Sequence, residues 1–177
     1  MTKNSRFTSN GFRLAVLALA IAGSGSASAA TVNAASTSTI VAPINITKAV
    51  DLAFGSFAAS ASAGTVTLTP GGGRTVDGGV TEIASSTATA AKFDVTGQAG
   101  FTYSISITGT PLTSGANSMA FTPVSDLTGG TATSGNVTAG VLTGGAQSIF
   151  VGGVLNVGAS QAAGDYTGSV TALVNYN

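Results

Sequence analysis

Six carboxylates are the first groups to weigh for chemistry: Asp51, Asp77, Glu82, Asp94, Asp126 and Asp165. The chain has no histidine and no cysteine. That removes the side chain that titrates near neutrality, the thiol nucleophile and two common transition-metal ligands. A glycosidase needs two carboxyl groups about 5–10 Å apart. The closest pair in sequence, Asp77 and Glu82, falls at opposite ends of an expected turn and strand. Asp77 precedes Gly78-Gly79 and Asp165 follows Gly164, which are the settings of solvated turn aspartates. Serines and threonines abound, but none has a base beside it to activate it. Asp126 with loop carbonyls is the one candidate for calcium, and acidic ligands around it are sparse. The run Gly71-Gly72-Gly73 after Pro70 lacks the lysine ending and following helix of a phosphate loop, so it reads as a turn. These residues imply no catalytic group, no metal, no cofactor and no small-molecule substrate. Binding or assembly is the expected class of function.

The rest of the chain must be read for what it presents instead. Lys3, Arg6 and Arg13 precede an apolar run over residues 14–22, and small residues continue to Ala27-Ser28-Ala29. That order predicts a secretory signal peptide over residues 1–29 and a mature chain from Ala30. The apolar run is shorter than the roughly 20 residues needed to span a bilayer. The expected destination is the periplasm by the Sec pathway, then the cell surface or exterior. Residues 30–177 have the size of one domain. Their only bases are Lys48, Arg74 and Lys92, against all six acids. Three scattered bases cannot neutralise a run of phosphates, which excludes nucleic acid as an expected partner. With 25 glycines and 7% charged residues, the composition is that of a β-protein with many turns and little repulsion between copies.

Alternation of apolar and polar residues places the strands. Residues 30–46 form a low-charge extension whose even positions include Val32, Ala34, Ile40 and Ile44, with Ser36 and Ser38 between them. A first strand is expected over residues 40–47. Leu52 and Phe54 share a face and open the core. Residues 65–69 alternate cleanly up to the Pro70–Gly73 turn, and a second turn is expected at Asp77-Gly78-Gly79 before a short strand over 80–83. Residues 91–96 and 101–108 read as two strands of one hairpin, with Phe93, Val95, Tyr103, Ile105 and Ile107 inward. A shorter strand is expected over 119–124. Residues 125–146 read as a loop with an edge strand near 136–142. Residues 148–157 are apolar on both faces, as in a central strand, with a kink at Gly152-Gly153. No segment of the mature chain longer than about a dozen residues carries a helical period, so very little helix is expected. The expected fold is all-β, an immunoglobulin-like antiparallel sandwich over 47–177. A small outer-membrane barrel is disfavoured because no aromatic girdles are evident.

The last strand carries the most pointed pattern. From Tyr166 to Tyr176 the even positions are Tyr166, Gly168, Val170, Ala172, Val174 and Tyr176, and the odd positions are hydroxyl or amide residues apart from Leu173. Gly164, alternating apolar residues and the penultimate Tyr176 resemble the final strand of fimbrial (pilin) subunits of the chaperone–usher pathway. The whole mature chain is also similar to the bacterial family called domain of unknown function 4402. The residues that carry this second likeness are Asp51-Leu52-Ala53-Phe54-Gly55, Phe93-Asp94-Val95-Thr96-Gly97, the run from Phe150 to Val157, and Gly164-Asp165-Tyr166-Thr167-Gly168 with Val174-Asn175-Tyr176. The fimbrial resemblance implies a sandwich lacking one strand, completed first by a periplasmic chaperone, at an outer-membrane usher, and then by the next subunit. Val32, Ala34, Ile40 and Ile44 would be the donated side chains. Gly164, Tyr166, Val170, Ala172, Val174 and Tyr176 would form the accepting edge. The alternative is a self-contained secreted sandwich, an adhesin or ligand-binding module contacting its target through residues 125–146.

Overall fold

A computed structural model describes residues 29–177. The expected signal peptide therefore lies outside the described residues, apart from Ala29. The chain divides into two units, Met1–Ser38 and Thr39–Asn177. Within the first unit, residues 29–38 form no strand and are exposed throughout.

The second unit is all-β. Ten strands occur in it: β1 Asn45–Val50, β2 Phe57–Leu68, β3 Arg74–Glu82, β4 Ala91–Thr96, β5 Thr102–Gly109, β6 Leu112–Ser114, β7 Asn117–Asp126, β8 Ala139–Val141, β9 Ala146–Val157 and β10 Val170–Tyr176. One 3-10 turn, Thr143–Gly145, precedes β9. Two antiparallel sheets make a sandwich. The larger has the order β1-β4-β9-β2-β3, with β7 on the other edge of β9 and β6 paired to β7; the smaller has the order β10-β5-β8.

Strand β9 is central, as its two apolar faces predict. One of its edges pairs with β7 from Phe150 to Asn156. The other pairs first with β4, up to Val151, and then with β2, from Gly153. Gly152 sits where the partner changes, and a Cβ there would strike the Leu68 carbonyl oxygen. The glycine pair expected to kink the strand is thus the point at which two strands share one edge.

Two apolar clusters fill the interior. The first lies between the sheets, with Phe93, Val95, Ile149 and Val151 facing Tyr103, Ile105, Ile107 and Val174. The second gathers Val66, Leu68, Val80, Met119, Phe121, Leu155 and Val157 under Phe54. Phe54 and Phe121 meet edge to face at 5.7 Å, a favoured aromatic geometry. Arg74 braces the second cluster from outside. Its side chain is 4% exposed, pairs with Glu82 at 2.8 Å and donates to the carbonyl oxygen of Phe54 at 2.7 Å.

Three expectations change. The strands over 91–96 and 101–108 exist, but they are not a hairpin. β4 belongs to the large sheet and β5 to the small one, so their apolar faces oppose each other across the core. Alternation names the buried face and leaves the partner open. Asp77-Gly78-Gly79 is not a turn but part of β3, where the register with β2 jumps from Ala59 opposite Val80 to Gly64 opposite Gly78. The glycines make room for the extra residues of that bulge. The first strand starts at Asn45 and not at residue 40.

Candidate functional site

Each sheet has exposed edges, and they are guarded unequally. β3 carries Arg74, Asp77 and Glu82, and β8 is three residues long. Charge and brevity are both devices that discourage pairing with a foreign strand. β10 has neither. Its seven residues, VTALVNY, hold no charge and no proline, and among the described residues β5 is its only partner strand.

The direction of its unused hydrogen-bonding groups follows from the register. Ser169 accepts from Thr110 N–H at 2.9 Å, and Asn177 N–H donates to Thr102 at 3.4 Å. Antiparallel ladders alternate, so the odd residues of β10 spend their N–H and C=O groups on β5. The even residues Val170, Ala172, Val174 and Tyr176 turn theirs to the free edge. The same even side chains point inward: Val174 is buried, and Val170, Ala172 and Tyr176 are half-buried against the core.

β1, at the end of the large sheet, lies near β10. The two edges converge at one end, where Tyr176 reaches Gln98 and Ala42. Toward the other end they part around a cleft of about 920 Å3. Leu52, Phe54 and Phe57 form one wall and Tyr166, Gly168 and Val170 the other, over a floor that includes Phe93, Met119, Phe121 and Leu155. Apolar and aromatic residues make up much of the lining, and Lys48, Asp51 and Asp165 also border it. Such a cleft can take alternate side chains of an extended segment whose ladder bonds fall on the even residues of β10.

Ala53 exchanges both backbone bonds with Thr89, and Phe54 gives its carbonyl to Arg74. Tyr166 anchors the opposite wall, donating its hydroxyl proton to the Ala162 carbonyl while accepting from Gln161 Nε2, both at 2.8 Å. Gly164 lines the slot as exposed backbone just before that tyrosine. Of the six residues expected at an accepting edge, Gly164, Tyr166 and Val170 line this cleft, whereas Ala172, Val174 and Tyr176 lie farther along β10 and outside it.

A family model described as a domain of unknown function (DUF4402) matches residues 44–176, from the residue before β1 to the last residue of β10. The chain belongs to the DUF4402 family. No curated protein and no solved structure matches it. The matched span of the DUF4402 domain contains both edge strands and the whole cleft, whereas Val32, Ala34 and Ile40 precede it.

Those three residues differ from the fourth expected donor. Val32 is 93% and Ile40 96% exposed, and Ala34 lies between them in the same exposed, strandless stretch. Ile44 is half-buried against the first core cluster. It belongs to the DUF4402 domain's own core, and the segment free of that core ends before it.

Five of the six carboxylates are engaged in structure. Asp51 pairs with Lys48, Glu82 with Arg74 and Asp94 with Lys92. Asp94 is held below the usual carboxylate range by the Ser148 hydroxyl first and by Lys92 second. Asp77 accepts from Gly78 N–H at 2.7 Å. Asp126 spends both oxygens on the N–H groups of Thr128, Gly129 and Gly130 at 2.7–3.0 Å. It caps its loop, and among the described residues no three acidic groups gather to hold a metal ion.

Sequence reasoning did not find Gln98, Ala42 or the floor residues Met119 and Phe121. Tyr176 was singled out, but nothing in its pattern names a partner 134 residues away.

Proposed function

We propose that this chain is an exported structural subunit, pilin-like in principle, that assembles by receiving an extended segment of another copy along the open side between β1 and β10. The donated segment is residues 30–40, with Val32, Ala34 and Ile40 as its inward side chains. The observation that carries this reading is the cleft of about 920 Å3, continuous with an uncharged edge strand whose even residues have unpaired backbone groups. An exposed hydrophobic edge of this kind invites pairing unless something covers it. The exposed, alternating stretch ahead of the domain supplies a cover of the right chemistry. On this reading export follows the N-terminal basic and apolar pattern. A strand-lending periplasmic chaperone and an outer-membrane usher would then guard the edge until a neighbour arrives.

Deleting residues 30–40 from the mature chain tests it. Light scattering should show large species for the full mature chain and monomers for the truncated one. Detergent-resistant ladders should appear only with the full chain. Equal assembly by both forms would refute donation by this segment.

A further inference from the structure

Ala42 is held by both of its backbone groups. Its N–H donates to Gln98 Oε1 at 3.3 Å, and its carbonyl accepts from the Tyr176 hydroxyl at 2.9 Å. The same hydroxyl accepts from Gln98 N–H at 2.6 Å. The Tyr176 ring packs edge-on against Phe101 at 5.7 Å. Gly97 leaves the room this requires, because a Cβ there would strike the hydroxyl. Pro43 follows, and a residue before proline is kept extended. From this clamp β1 runs toward the cleft. Asn45 lies opposite Thr96 at the clamped end, and Val50 lines the cleft at the other. The root of the extension and the cleft thus sit at opposite ends of one open side, about 20 Å apart along six residues of strand.

An extension of this length faces a choice of domains. Eleven extended residues reach up to about 36–40 Å, enough to turn back along their own β10. A tethered segment experiences an effective concentration in the millimolar range. An unrestrained extension would therefore fill its own domain before that of a micromolar neighbour.

We propose that the Tyr176–Gln98 clamp on Ala42 directs strand donation to another copy, by holding the chain extended at the end of the open side away from the cleft and so opposing the reversal that self-insertion needs. This rests on the assembly reading above and adds the device that sets its direction. Because donor root and acceptor cleft are different surfaces at opposite ends, the contact is heterologous and copies join head to tail into an open-ended array.

The test is the mature chain carrying Tyr176→Phe with Gln98→Met, which keeps the ring and the side-chain length. Size by light scattering and proteolysis of residues 30–40 are read at several concentrations, with the melting temperature as the folding control. The clamp variant is expected to raise the monomer fraction roughly tenfold or more, the worth of two net hydrogen bonds. Its monomers should protect residues 30–40 at every concentration. A variant that assembles as the parent does, or whose monomers leave residues 30–40 open to protease, overturns the inference. In parallel, a synthetic peptide of residues 30–40 is titrated into the domain lacking them. Binding to parent and clamp-variant domains alike upholds the assembly reading whichever way the first arm falls. Failure to bind either domain overturns that reading and the clamp's role with it.

Discussion

Proline scanning along β10 separates the two edges of that strand. Thr171 N–H points to β5 in the ladder, opposite Thr108, whereas Ala172 N–H points to the free edge. Proline removes one donor at either position and imposes similar backbone strain, so the comparison isolates the hydrogen bond. Thr171→Pro strips a ladder bond and leaves the Thr108 carbonyl short of its partner, a loss of about 1–3 kcal/mol. In a domain of this size that lowers the melting temperature by roughly 2–4 °C for each kcal/mol. Ala172→Pro loses no bond that the isolated domain makes, and proline is tolerated on edge strands with the N–H side facing solvent. It should melt several degrees above Thr171→Pro and yet fail to assemble, because the incoming strand meets a missing donor and a ring. Circular dichroism melting and light scattering on the two variants read both effects. Equal destabilisation by the two would refute the register argument. Normal assembly of Ala172→Pro would refute use of this edge.

Other consequences follow from the packing. Arg74→Met should destabilise the domain by about 1–3 kcal/mol through loss of charged hydrogen bonds, with Arg74→Lys restoring only part because one ammonium cannot serve both Glu82 and the Phe54 carbonyl; urea unfolding measures it. Gly152→Ala should cost about 1–3 kcal/mol by overpacking where β4 gives way to β2 on β9, seen in the same unfolding curves. Tyr103 is fully buried and its hydroxyl donates to Gln147 Oε1 at 2.9 Å. Burial raises its pKa, so the unfolded chain releases that proton first. Stability should hold below about pH 10 and fall as pH climbs through the folded value. Tyr103→Phe should flatten this alkaline loss, as melting temperatures across that range would show.

Much of the architecture was legible where side chains alternate strongly. Tyr103, Ile105 and Ile107 declared the inner face of β5, and the two apolar faces of residues 148–157 declared a central strand. Pairing was not legible, because alternation in β4 and β5 is satisfied equally by neighbours in a sheet and by strands facing across a core. The first half of β2, FAASASAG, gave no signal, since its small residues are exposed and joined by a bulge. Asp77-Gly78-Gly79 misled for the complementary reason: glycine serves a bulge as readily as a turn. The accepting edge was visible in the even residues of β10. The slot beside it was not, because it is made by chain segments more than a hundred residues apart, Leu52–Phe57 and Tyr166–Val170. Ile44 looked like part of the extension because one apolar period runs through both, and only the fold assigns it to the core.

Backbone amide exchange on the domain lacking residues 30–40, measured with and without the peptide of those residues, addresses the open edge itself. In the free domain the amides of Thr171, Leu173 and Asn175 should exchange slowly and those of Ala172 and Val174 fast. Added peptide should slow Ala172 and Val174 while leaving the odd residues as they were. An edge whose even amides are already protected without peptide, or remain fast at saturating peptide, would contradict the account.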